Sequence, residues 1–151
     1  MRALSTVADL LDMKGRTVYT IGQEASLVSC SKMMQVKGVS SLVVLGEDSK
    51  LAGLITSRDL LRVAAEGGRR LDDVKVADVM TKDLRTTTED ASIHDVENTM
   101  IQQRIRHLPV MEGDEIVGLI TRIDVLRHYL DKQHALSREL EGYITGVYSA
   151  A

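Results

Sequence analysis

The chain has 151 residues, 44% of them hydrophobic, and a formal charge of −3. That length allows one domain or two small halves sharing a core, built from Leu, Val, Ile and Met because Phe and Trp are absent. The acidic balance argues against nucleic acid as a main partner, the lone Cys30 excludes an internal disulfide, and no apolar stretch approaches the roughly 18 residues of a membrane span.

In chain order, Val7 to Leu11 predicts a short opening helix and Val18 to Ile21 a short strand. Leu27, Cys30 and Met34 then recur at helical spacing and predict one apolar stripe. A β-branched strand follows over Val39 to Leu45, and Gly46-Glu47-Asp48-Ser49 reads as a turn. A second strand ends in Gly53-Leu54-Ile55-Thr56 and passes into a closing helix. Glu66-Gly67-Gly68-Arg69-Arg70 is the joint, since paired glycines end a helix and free the chain.

The order then starts again. Val76 to Met80 predicts a helix, Leu84 to Thr87 a strand, and Ile93, Val96, Met100 and Ile101 an amphipathic helix. Ile105 to Met111 and a segment ending in Gly118-Leu119-Ile120-Thr121 predict the paired strands. Gly53 to Arg62 returns as Gly118 to Arg127, 65 positions later, with the glycine, Leu-Ile, threonine, aspartate and arginine identical. The first half carries three extra residues around Asp12 to Arg16 and one more around Gly46 to Lys50, where loops absorb insertions. The result is an α/β (α+β) chain of two β-α-β-β-α units, at 7–65 and 76–130, joined by a linker at 66–75. A tail at 131–151 has partial helical character through Leu136 and Leu140, and Gly142 to Tyr148 is expected to break it.

Thr56 with Asp59, and Thr121 with Asp124, sit where a buried strand becomes a helix. A helix N-terminus offers unpaired N–H groups and partial positive charge, suited to a phosphate. A threonine hydroxyl adds a donor, and an aspartate three residues on can accept both hydroxyls of a ribose. The same pairs also suit N-caps complementing the macrodipole. Both readings stand on the residues alone.

Arg106 and His107 lead into Leu108-Pro109-Val110, and clustered basic groups near a cleft would hold phosphate oxygens. Regular alternation sends the two to opposite faces, so sharing one pocket requires a bend. The first half has Ser40-Ser41-Leu42-Val43 instead, so the two halves are not equivalent. Catalytic signals are lacking: Cys30 falls on an apolar stripe, and the histidines show no metal-ligand spacing.

Two such units, each closing with Gly-hydrophobic-hydrophobic-Thr-x-x-Asp, resemble a pair of CBS domains, a Bateman module of the stand-alone bacterial type. The second half is the closer match, with Ala77-Asp78-Val79-Met80-Thr81 and Arg106-His107-Leu108-Pro109-Val110. The resemblance implies a pseudo-twofold fold with the halves packed sheet to sheet. It implies a regulatory, non-enzymatic protein without a catalytic cofactor, commonly a homodimer; the lone cysteine and the lack of a membrane-span or signal-peptide pattern make a cytoplasmic protein the expectation. Its ligand would contain adenosine: AMP foremost, or ADP, ATP, NAD or S-adenosylmethionine. Ribose contacts would fall on Asp59 and Asp124, hydroxyl contacts on Thr56 and Thr121, and phosphate contacts on Arg106 and His107. Adenine contacts would fall on Thr20, Ile21, Thr86 and Thr87. The alternative is a structural or protein-interaction homodimer with vestigial clefts.

Overall fold

The computed structural model describes residues 5–149. Helix α1 (Val7–Lys14) is followed by β1 (Thr20–Gly22), α2 (Leu27–Lys37), β2 (Ser41–Leu45), β3 (Leu51–Thr56) and α3 (Ser57–Glu66). The second half has 3-10 turns at Leu71–Asp73 and Val76–Asp78, then α4 (Ile93–Gln103), β4 (His107–Glu112), β5 (Glu115–Thr121) and α5 (Arg122–Ser149). One sheet runs β1-β2-β3, with β1 parallel to β2, and the other pairs β4 with β5 antiparallel. Ala150 and Ala151, the end of the expected tail, lie outside the described residues.

Local chemistry sets the helix ends. Thr6 and Asp9 form a capping box for α1, with Thr6 N donating to Asp9 Oδ2 at 2.9 Å and Asp9 N to Thr6 Oγ1 at 3.2 Å. Those bonds to the charged form hold the Asp9 carboxyl below the usual aspartate value. Val76 starts after Lys75, which supplies no side-chain cap, and the expected helix there is only a 3-10 turn. Ser26 and Ser92 cap α2 and α4. Helix α2 closes on Gly38 at φ 65°, while the matching residue after α4 is Arg104 at φ 53°, a left-handed backbone carried by a side chain that disfavours it.

Pro109 explains the largest difference from expectation. In the first half Val43 N donates to Tyr19 O at 3.1 Å, one rung of the β1–β2 ladder. The equivalent of Val43 in β4 is Pro109, which has no N–H to donate. The expected strand at 84–87 therefore shrinks to one bridge, with Thr87 N donating to Pro109 O at 2.9 Å and Met111 N to Thr87 O at 2.8 Å. Two smaller differences concern helices. Ile101 is 56% exposed and leaves the α4 stripe, and α5 continues unbroken through Gly142 to Ser149.

Each repeat's opening segment serves the other repeat's core. Val7, Leu10 and Leu11 of α1 are buried with Ile93, Val96, Met100, Leu108, Ile120 and Val125 of the second half. Val74 and Val76 are buried with Leu27, Cys30, Leu42, Ile55 and Val63 of the first. The crossovers are pinned by matching main-chain bonds: Val7 N to Ala91 O at 2.9 Å, and Val76 N to Ala25 O at 2.8 Å. Burial also pushes the Cys30 thiol up to about 11, as expected of a core residue.

The two repeated glycines mark where each crossover meets a sheet. A Cβ on Gly53 would lie 2.7 Å from Met80 Sδ and 2.7 Å from the backbone oxygen of Thr81, which is held by reciprocal bonds to Leu54. A Cβ on Gly118 would lie 2.8 Å from the methyls of Leu11, which can rotate away. Gly53→Ala is expected to cost about 1–3 kcal/mol and Gly118→Ala less, as urea unfolding would report.

His128 of α5 is buried at 8% exposure with no partner for Nε2 among the described residues, and burial holds its imidazole below the ordinary 6.5. Below that value the unfolded chain binds more protons than the folded one, so stability falls with pH. Between pH 7 and 5 the melting temperature should drop more steeply for the parent than for His128→Leu.

Candidate functional site

Each closing helix begins where its strand ends, because a threonine there serves both elements. Thr56 ends β3 and N-caps α3, and Thr121 ends β5 and immediately precedes α5. Thr56 N donates to Asp59 Oδ2 at 2.9 Å and Thr121 N to Asp124 Oδ2 at 2.8 Å. Both hydroxyls donate to the same carboxylates, at 3.2 Å and 2.9 Å. The capping chemistry is thus built in both halves.

Sheet register then brings the neighbouring strand starts beside these helix starts. Ser41 pairs with Thr56 and His107 with Thr121. Ser57 N donates to Ser40 O at 2.8 Å and Arg122 N to Arg106 O at 2.9 Å. Two adjoining cavities of about 470 and 250 Å³ share Ser40, Arg106 and His107. The larger is also lined by Thr121, Arg122 and Ile123, the smaller by Thr56, Ser57 and Arg58. Both helix N-termini therefore open on one cleft that also receives Arg58, Arg106 and Arg122, a setting of positive potential suited to an anion.

Arg106 and His107 share this cleft because β4 begins only at His107, leaving Arg106 in the bend before it. The half-buried His107 imidazole is held below its ordinary value by burial, then by the Arg106 charge, with Asp124 opposing and Lys14 adding to the depression. It is neutral at pH 7, and a bound anion would draw it toward protonation.

The two aspartates differ in their partners. Lys14 Nζ lies 2.6 Å from Asp124 Oδ2 and also donates to Leu119 O at 2.7 Å. Asp124 is only 12% exposed beneath it. In the first half the equivalent carbonyl, Leu54 O, is taken by Thr81 N, and Asp59 faces Arg62 Nη2 at 3.3 Å. Lys14 lies in the Asp12 to Arg16 stretch, around which the first half is three residues longer. That insertion was visible in the alignment of the repeats, but its reach to Asp124 across 110 positions was not.

Thr20, Ile21, Thr86 and Thr87 line neither cleft cavity, and neither do the carboxylates Asp59 and Asp124; Asp124 lines a separate cavity with Lys14 and His128. Ile21 is a core side chain, Thr20 is two strands away from β3, and Thr87 is tied by its main chain to β4. Among the described residues no group of three or more His, Cys, Asp or Glu could hold a metal ion, and no helix is long and apolar enough to cross a membrane.

The sequence model of the CBS domain matches twice, at residues 7–66 and 76–131. The chain is 31% identical over 152 residues to the mitochondrial CBS domain-containing protein CBSX3 of Arabidopsis thaliana, covering 95% of this chain and 74% of that one. The crystal structure of the CBS-domain protein ATU1752 from Agrobacterium tumefaciens superposes with a TM-score of 0.77 at 30% identity, over 84% of this chain and 96% of that one. The CBS pair of protein MJ0100, solved with 5′-methylthioadenosine and S-adenosyl-L-methionine, shares the fold with a TM-score of 0.76 at 24% identity, over 86% and 99% of the two chains. The interlocked repeats, the paired strand-to-helix threonines and the double match agree: this chain belongs to the CBS-domain family, with two CBS units in tandem.

Proposed function

We propose that the protein is a regulatory, non-catalytic sensor of an adenosine-containing nucleotide, AMP foremost, and that it works as a homodimer. The convergence of two helix N-termini, Arg58, Arg106, Arg122 and His107 on one cleft carries this reading. Such a cleft suits phosphate, with Arg binding as a fork and the helix ends as fixed dipoles. The adenosine-type ligands of the MJ0100 pair are in keeping with it. A ligand touching both halves would favour one relative arrangement of them, which is what a sensor requires.

The halves would not bind alike. Asp59 is the ribose acceptor of this reading, because its outer oxygen faces the 55% exposed Arg62. Asp124 is covered by Lys14, which would have to give up this ion pair and its bond to the Leu119 carbonyl to release it.

Calorimetric titration with AMP, ATP, NAD and S-adenosylmethionine tests the reading. Asp59→Ala should weaken the best ligand about 10- to 100-fold, the loss expected for hydrogen bonds to a charged group. Lys14→Ala should raise the number of nucleotides bound per chain. Unchanged affinity in Asp59→Ala would remove the ribose assignment. No thermal shift with any nucleotide at millimolar concentration would favour a protein-interaction dimer instead.

Protonation of His107 should accompany phosphate binding, since an anion stabilises the imidazolium. Affinity should therefore rise as pH falls from 8 to 6 more steeply in the parent than in His107→Gln.

A further inference from the structure

Helix α5 runs well past the body of the protein. Every residue from 131 to 146 is exposed, including Leu136 at 56%, Leu140 at 54%, Tyr143 at 75% and Ile144 at 54%. Glycines at 142 and 146 weaken this segment, and an isolated helix of such length is marginal in water. One helix face follows a strict order: Leu126, Tyr129, Gln133, Leu136, Leu140 and Tyr143 alternate steps of three and four, all of them apolar or aromatic except the polar Gln133. That is the a/d pattern of a helix seam, and its first two members are also exposed, at 53% and 36%.

We infer that this seam pairs with α5 of a second copy of the chain, antiparallel, with seam residue n meeting seam residue 269 − n and the flanking positions facing each other between those layers. In that register Leu126 meets the second copy's Tyr143, Tyr129 meets its Leu140, and Gln133 meets its Leu136 (126 + 143, 129 + 140 and 133 + 136 all equal 269). One flank then sets Lys132 against the second copy's Glu139, and twofold symmetry repeats the pair. The other flank sets Ile123, 53% exposed, against Ile144. A parallel pairing sets Lys132 near Ser137 and Glu139 near Ile144, with no charge partner on either side. Charge complementarity therefore selects both the occupant and its direction.

The body supplies a matching receptor. Between α4 and α5 lies an apolar groove of about 270 Å³ lined by Met100, Ile101, Leu126 and Tyr129, among others. In the antiparallel register the second copy's Tyr143 arrives at Leu126, beside this groove. This pairing deepens the homodimer part of the proposed function and is independent of nucleotide binding.

The test uses the full-length chain in sedimentation and cross-linking. The parent should sediment as a dimer, and Leu140→Asp, which alters only an exposed position, should raise the dissociation constant at least 100-fold. Lys132→Glu and Glu139→Lys should each raise it about tenfold, and the double exchange should restore it to within about threefold. Under mild oxidation, Leu126→Cys mixed with Tyr143→Cys should give covalent dimers that neither gives alone; the buried Cys30 stays out of the reaction. Disulfides formed by either variant alone would mean a parallel seam and overturn the register. A dimer untouched by Leu140→Asp would overturn the seam while leaving the homodimer in place. A monomeric parent would overturn both, leaving nucleotide titration to judge the sensor separately.

Discussion

The structure depends on an exchange. Each repeat lends its opening segment to the core of the other, through Val7, Leu10 and Leu11 in one direction and Val74 and Val76 in the other. Main-chain bonds from Val7 to Ala91 and from Val76 to Ala25 hold the exchange in register. Neither core is complete without the other half's contribution, so the two repeats form one cooperative body rather than two beads on a linker. The glycines at 53 and 118 follow from this constraint, since each lies where a crossing segment meets a strand with no room for a side chain.

The same constraint creates the cleft. With the repeats interlocked, the ends of β3 and β5 lie close enough that the starts of α3 and α5 share Arg106, His107 and Ser40 as neighbours. The electrostatics then depend on residues that break the symmetry. The second half contributes the arginine and histidine where the first contributes serines, and the first contributes Lys14, which crosses over to Asp124. Charge is thus exchanged between halves just as the hydrophobic segments are. Under the proposed function, a ligand in this cleft would meet two unlike surfaces, and any differential contact would bias their relative position.

Much of this was legible in the residues, and the exceptions have identifiable causes. The Thr-x-x-Asp pairs announced the strand-to-helix junctions because a threonine N-cap with an acid at the third helical position is a local device. The sharing of one pocket by Arg106 and His107 was not legible, because alternation assumes a strand from Ile105 that in fact starts two residues later. The missing strand before α4 could have been anticipated from Pro109, but only with β1–β2 pairing known, since the lost donor matters through its partner. The continuity of α5 past Gly142 was also missed, because composition around two glycines reads as a break.

From the sequence alone came the duplication, the order of elements in the first half, the capping threonines and aspartates, and the inequality of the two halves in basic residues. All of these are local or comparative, readable from neighbours along the chain or from one repeat laid on the other. Only the tertiary structure decided which core each opening segment serves, that both helix starts face one cleft, and that Lys14 rather than solvent covers Asp124. Those are contacts between residues up to 110 positions apart, set by the packing of whole elements, and no short-range pattern encodes them.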